Sequence, residues 1–199
     1  MAKGLLFVIS GPSGVGKNTV LNEIIKKRND IVYSISATTR PPRGQEVNGV
    51  NYYFFTKKQF MGEIDNNGFL EWAEIYDYYY GTPKQTVFEQ LNKGNHVILD
   101  VDIQGAAQIR QNYPNSILIF LYPPSVEELK RRLYLRNTDD QDSIIKRLSY
   151  INKELSSVDL YDYVVVNDCL EQACYRVESI INAEESRVTR GYWKKLLRP

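Results

Sequence analysis

Leu5-Leu-Phe-Val-Ile-Ser-Gly11-Pro-Ser-Gly-Val-Gly16-Lys17-Asn-Thr-Val-Leu21 decides how this chain folds. Its first half is a short continuous apolar run, the pattern of a strand buried on both faces. Three glycines and a lysine follow, and then helical spacing. Strand, glycine-rich turn and helix with Gly11, Gly16 and Lys17 at this spacing form a P-loop. The glycines let the backbone curl so that its N–H groups converge on phosphate oxygens. The helix N-terminus adds its dipole, and Lys17 reaches the β- and γ-phosphates as a point charge. Gly11, Pro12, Ser13, Gly14, Val15, Gly16, Lys17, Asn18 and Thr19 are thereby read as a nucleotide site. One position departs from the motif. Asn18 stands where Ser or Thr would help to hold Mg²⁺, and Thr19, turned about 100° further round the helix, is no simple substitute. Asn18 could offer its amide oxygen, or phosphates and water could hold the ion.

Outward from this stretch the same rhythm repeats. His96-Val-Ile-Leu-Asp-Val-Asp102 precedes a helix near residues 105–111, and Ile117-Leu-Ile-Phe-Leu121 precedes one after Pro124. Val164-Val-Val166 precedes a last helix over about 171–187. Strands that alternate with helices predict an α/β core with a parallel sheet covered on both faces. Residues 33–83 break the rhythm with Tyr, Thr, Asn and Gly and short alternating strands, and read as a mostly antiparallel insert. Residues 125–158 read as two charged helices, the first opened by a Ser125/Glu128 capping box, with the polar loop Asn137 to Asp142 between them. The expected division is a core of 1–32, 84–124 and 159–199, an insert of 33–83 and a lid of 125–158.

The 199 residues suffice for a real hydrophobic core without cross-links. A formal net charge of +1 gives no push towards nucleic acid or anionic membrane. The longest apolar runs are too short for a signal segment or a membrane span, so the chain reads as soluble and cytoplasmic. Cys169 and Cys174, five apart with no histidine cluster nearby, read as reduced thiols. His96, the only histidine, opens an apolar strand and reads as structural.

After the P-loop come Ser36-Ala-Thr-Thr-Arg40-Pro-Pro-Arg43-Gly-Gln-Glu-Val-Asn-Gly49, Tyr52, Phe69-Leu-Glu71-Trp-Ala73 and Tyr79-Tyr-Gly-Thr-Pro83. Ile98-Leu-Asp-Val-Asp102, Gln104-Gly105, Pro123-Pro-Ser125, Lys146-Arg-Leu148 and Val166-Asn-Asp168 continue the order. Over residues 4–190 the chain resembles the guanylate kinases of bacteria. The resemblance implies a three-layer nucleoside monophosphate kinase core, a GMP-binding insert and a helical lid. It implies ATP and GMP, with dGMP beside it, as substrates and Mg²⁺ as the cofactor. It places Ser36, Arg40, Arg43, Tyr52, Glu71, Tyr80, Thr82, Asp100 and Asp102 around GMP and Asn167 on the adenine side. Lys17, Arg40, Arg132, Arg136 and Arg147 are implied at the transferring phosphates.

The residues carry chemistry of the same kind. Two guanidinium forks, Arg40 and Arg43, on a segment stiffened by Pro41 and Pro42 suit one small phosphate dianion. Phenols at Tyr52 and Tyr80 can add hydrogen bonds. A carboxylate accepts from both N1–H and N2–H of guanine and hydroxyls can donate to O6; the resemblance places Glu71, Ser36 and Thr82 in those roles. Alone, Glu71 would read as a surface charge; its flanks Phe69-Leu70 and Trp72-Ala73 argue that it is held. Asp100 and Asp102, two apart at a strand end, fall on one face where open α/β sheets bind ligands. The resemblance sets them between the nucleotides, near Mg²⁺ and the base or ribose, without dividing the roles. Phosphoryl transfer needs positioning and charge neutralisation, so neither a general base nor a covalent intermediate is assigned. Two other readings are a guanylate-kinase-like binding module without catalysis and a related P-loop kinase with another phosphorylated acceptor. The intact loop and lid arginines oppose the first. Ser36, Glu71 and Thr82 together oppose the second.

Overall fold

The computed structural model describes residues 3–75, 77–135, 151 and 153–191. A five-stranded, wholly parallel sheet is built from β1 (Leu6–Ser10), β2 (Ile31–Tyr33), β7 (His96–Asp100), β8 (Ile117–Tyr122) and β9 (Tyr163–Val166). Its strand order is β2-β7-β1-β8-β9. Central β1 shows why the sheet has three layers. All five of its residues are buried, and their side chains alternate in direction. Phe7 and Ile9 join Val20, Leu21 and Ile24 of α1 (Lys17–Lys27) and Val177 and Ile181 of α6 (Leu170–Ser186). Leu6 and Val8 face the other way, onto Val87 and Leu91 of α3 (Lys84–Lys93) and Ile109 of α4 (Ile103–Asn112). Each such side chain contributes about 1.5–3 kcal/mol of burial, so both helix layers are held by one strand.

The second sheet has the order β4-β3-β6-β5, from β3 (Ala37–Thr38), β4 (Tyr53–Phe54), β5 (Phe69–Ile75) and β6 (Tyr78–Pro83). β3–β6 and β6–β5 are antiparallel, whereas β3–β4 is parallel. This is the mostly antiparallel insert expected from the sequence. Its small core stacks Phe60 of α2 (Lys57–Asp65) on Phe69, ring centroids 4.3 Å apart. The insert is fastened to the main core along β5. Trp72 N–H donates to Gln108 Oε1 (3.1 Å), Gln108 Nε2 donates back to the Trp72 carbonyl (3.0 Å), and Asn112 Nδ2 donates to the Leu70 carbonyl (2.7 Å).

Three elements escaped the sequence reading. Strand β2 is only three residues long and has no full apolar run. Helix α2 carries a complete Thr56/Gln59 capping box, a signal present in the sequence. Helix α3 lies between Pro83 and a left-handed Gly94. Two readings need correction. Asp102 is not on the strand with Asp100, because β7 ends at Asp100 and Asp102 caps α4, accepting from Gly105 N–H at 2.7 Å. The Ser125 half of the expected capping box is present, with Glu128 N–H donating to Ser125 Oγ at 3.0 Å. The Glu128 carboxylate instead pairs with Arg131 and Arg132 of α5 (Val126–Leu135).

His96 is structural. Its Nδ1 accepts from Leu5 N–H (2.9 Å) and its Nε2 lies 2.8 Å from Glu185 Oε1, so the neutral ring is satisfied at both nitrogens. Burial lowers its pKa. Cys169 and Cys174 are free thiols. Among the described residues no helix is long and apolar enough to cross a membrane. The lid loop Asn137 to Asp142, Arg136 and Arg147 lie outside the described residues.

Candidate functional site

The loop between β1 and α1 curls as its glycines require. Gly11, Gly14 and Gly16 have φ of 149°, 86° and 98°, values that L side chains rarely adopt. At Gly16 a side chain is doubly excluded, because a Cβ there would lie 2.7 Å from Asn167 Nδ2. Lys17 Nζ donates across the loop to the Gly11 carbonyl at 2.9 Å. Asn18 and Thr19 are exposed on the first turn of α1.

Asn167, expected on the adenine side, is turned inward. It is buried, and its Nδ2 donates to the Val15 carbonyl at 2.7 Å. Arg132 reaches the same place from α5, with Nη1 and Nη2 donating to the Asn167 carbonyl at 3.2 Å while Nε holds Glu128 Oε1 at 2.9 Å. Together they tie the glycine loop, the end of β9 and helix α5. Gly14, Gly16, Thr19, Arg132, Asn167, Asp168 and Leu170 line a cleft of about 310 Å³ beside the loop.

The two aspartates divide the region between them. Asp100 ends β7, and burial raises its pKa while the charge of Lys17 lowers it, so its electrostatic partner is the glycine-loop lysine. Asp102 faces the insert and acts on Glu71. Glu71, on β5, is buried, and Thr82 Oγ1 on the paired β6 donates to its Oε1 at 2.6 Å. Burial, reinforced by Asp102 and opposed by Thr82, pushes the Glu71 carboxyl up to about 7. The carboxylate is thus poised to gain from any donor pair that replaces its lost water. Tyr33, at the end of β2, is a neighbour the sequence reading passed over. The residue is 42% exposed overall, but crowding around its phenol and the Asp100 charge push that group up to about 12.

Arg40 and Arg43 stand on the turn between β3 and β4. Arg40 is 6% exposed, with Tyr52 and Phe54 rings 5.4 and 5.9 Å from its guanidinium carbon. Its Nη1 and Nη2 both donate to the Glu46 carboxylate at 2.9 Å. Arg43 carries an exposed side chain on the same turn. Tyr52 and Tyr80 meet edge to face at 6.1 Å, and Tyr80 acts electrostatically on Arg40. Ser36 is half-buried just before β3, its carbonyl taken by Tyr53 N–H at 2.9 Å. The structure therefore brings Arg40, Tyr52 and Tyr80 together, and separately Glu71, Thr82 and Asp102.

A parallel sheet with a glycine loop after its first strand, and with the Asp100 carboxylate at the C-terminal end of neighbouring β7, defines an α/β protein of the P-loop kinase type. The family model described as guanylate kinase matches residues 3–184. A guanylate kinase of Caldanaerobacter subterraneus is 48% identical over 95% of this chain and 92% of its own. One of Clostridium tetani is 50% identical over 96% and 91%. The crystal structure of guanylate kinase from Anaplasma phagocytophilum superposes with a TM-score of 0.75 at 33% identity, covering 95% of this chain and 90% of that one. The chain belongs to the guanylate kinase family.

Proposed function

We propose that the protein transfers the γ-phosphoryl group of ATP to GMP, and to dGMP, giving GDP or dGDP and ADP. The observation that carries this reading is the buried Glu71–Thr82 pair. Guanine offers N1–H and N2–H to one carboxylate, and adenine lacks the first and bears a donor in place of O6. A site built of such polar groups rejects a mismatched base by about 10⁴-fold, because its buried partners would be left unpaired. In this reading Ser36 serves O6, and Thr82 turns its single O–H from Glu71 to O6 as the base takes its place on the carboxylate. Arg40, Arg43, Tyr52 and Tyr80 take the acceptor phosphate, and Asp102 stabilises the base side through α4.

On the donor side, the N–H groups of residues 11–19 cradle the phosphates, Lys17 moves from the Gly11 carbonyl to them, and Asn167 keeps the loop in shape. Arg132, Arg136 and Arg147 close from the lid to neutralise the transferring group. The transfer is in line, with no covalent intermediate. Asp100 and the amide oxygen of Asn18 are hard oxygen donors of the kind that suit Mg²⁺ alongside water and phosphate. When bound, that ion would neutralise charge on the phosphates. In this reading residues 1–32, 84–124 and 159–199 form the core, 33–83 the GMP-binding insert and 125–158 the lid.

A coupled ATPase assay with GMP, dGMP, AMP and no acceptor tests the proposal. Turnover with GMP and dGMP alone supports it. Equal turnover with AMP, or none with any acceptor, refutes it.

A further inference from the structure

Glu46 belongs to neither strand nor helix, and no role has been assigned to it above, yet it holds three donors at once. Its Oε1 accepts from Arg40 Nη2 (2.9 Å), and its Oε2 accepts from Arg40 Nη1 (2.9 Å) and from the backbone N–H of Arg43 (2.7 Å). The Glu46 N–H in turn donates to the Arg43 carbonyl at 3.0 Å. One carboxylate thus links both arginines of the turn.

Counting donors shows what this arrangement leaves. A guanidinium has five N–H groups in a fixed plane. One Nη1–H goes to the Pro41 carbonyl at 2.8 Å, and Glu46 takes one from each Nη. What remains is Nε–H and the second Nη2–H, which lie on one edge of the fork. The Tyr80 phenol is the other group that interacts with this guanidinium, and because a charged phosphate is a stronger acceptor than a neutral phenol, this edge can grip a second anion with two parallel bonds. Tyr52 and Phe54 pack near the guanidinium, so it is held by rings as well as by bonds. A buried guanidinium without a carboxylate would carry a large desolvation cost, and its long side chain would sample other rotamers.

We propose that Glu46 is the positioning residue of the acceptor-phosphate site: it fixes the Arg40 fork and the Arg43 backbone in advance, leaving one edge of Arg40 aimed at the incoming phosphate. This rests on the functional reading above. Glu46 touches neither substrate nor reacting atoms; it acts through the two arginines. A preset fork binds without first ordering itself, so the gain should appear in acceptor affinity.

Glu46→Gln is the informative change. Its single amide oxygen cannot serve three donors, and its NH₂ group meets an N–H. The expected result is a KM and Kd for GMP raised about tenfold or more, with kcat lowered less than about threefold. Guanosine affinity and KM for ATP should be unchanged. Glu46→Asp, which keeps the charge, should recover part of the loss. The opposite reading, in which Glu46 merely occupies the phosphate seat until GMP arrives, requires Glu46→Gln to bind GMP more tightly, and that result would overturn the proposal. Equal losses for GMP and guanosine would overturn it too, as would unchanged GMP kinetics. If the unaltered protein took no GMP, the functional reading would fall instead. Titration with inorganic phosphate would then decide the role of Glu46: weaker binding in Glu46→Gln supports it, and equal binding refutes it.

Discussion

Thr82 donates its hydroxyl proton to Glu71 across 2.6 Å between two neighbouring strands. The carboxyl that receives this bond is buried and pushed up to about 7, so Glu71 sits near the midpoint of its titration at neutral pH.

The first prediction is a pH dependence of GMP binding. Guanine's two N–H groups need the ionised carboxylate, whose fraction rises about tenfold from pH 6 to pH 8 for a group titrating near 7. GMP affinity measured by calorimetry should rise by about that factor over the interval. Glu71→Gln should lose about 10²-fold in GMP turnover and show no such rise. A flat profile in the unaltered protein would refute the assignment.

Stability in the absence of nucleotide should run the opposite way. The folded pKa of Glu71 is raised, so the folded state keeps a proton that the unfolded chain releases. Its contribution is present below the ordinary value of 4.5 and is lost as pH rises through about 7. Glu71→Gln mimics the protonated acid at every pH. Its melting temperature relative to the unaltered protein should therefore climb between pH 5 and pH 8, even though the variant is nearly inactive.

The two arginines should separate. Arg43 is exposed, so Arg43→Met should cost about 1.5–3 kcal/mol of GMP binding with no change in melting temperature. Arg40 is buried against two rings and paired with Glu46, so Arg40→Met should weaken GMP binding and lower the melting temperature. Guanosine should bind Arg43→Met as well as it binds the unaltered protein. A matching loss for guanosine would place Arg43 away from the phosphate.

The aspartates should separate as well. Asp102→Ala removes an N-cap and should cost about 1 kcal/mol of stability by denaturant unfolding. Asp100 is held partly buried with its pKa raised, so Asp100→Asn should leave stability unchanged or improved while turnover falls. If both variants lost only stability, Asp100 would have no place in the chemistry.

How much of this was legible follows from which forces write into local sequence. The glycine loop was, because backbone shapes at positive φ admit few residues and so fix Gly11, Gly14 and Gly16. The alternate faces of β1 were, because burial on both sides demands an unbroken apolar run. Asp102 was misplaced because two residues past a strand end look the same whether the strand continues or a helix begins. Its cap to Gly105 shows only in the backbone path. The inward turn of Asn167 onto Val15 spans 152 positions and leaves no local trace. Glu46 was passed over for a different reason: it is six residues from Arg40 in a turn of irregular geometry, where no periodicity says which side chains meet. The Thr56/Gln59 box, by contrast, could have announced α2.

The clasp between Gln108 and Trp72 also bears on how the molecule avoids its own kind. β5 is the outer strand of its sheet, and a bare outer strand offers unpaired N–H and C=O groups to any other extended chain. Gln108 fills both backbone positions of Trp72 and Asn112 fills the carbonyl of Leu70, so two side chains of α4 stand where an intruding strand would have to pair. The fastening that keeps the insert on the core therefore also guards an exposed sheet margin against self-association, and Gln108→Ala should be more prone to aggregate on warming than the unaltered chain.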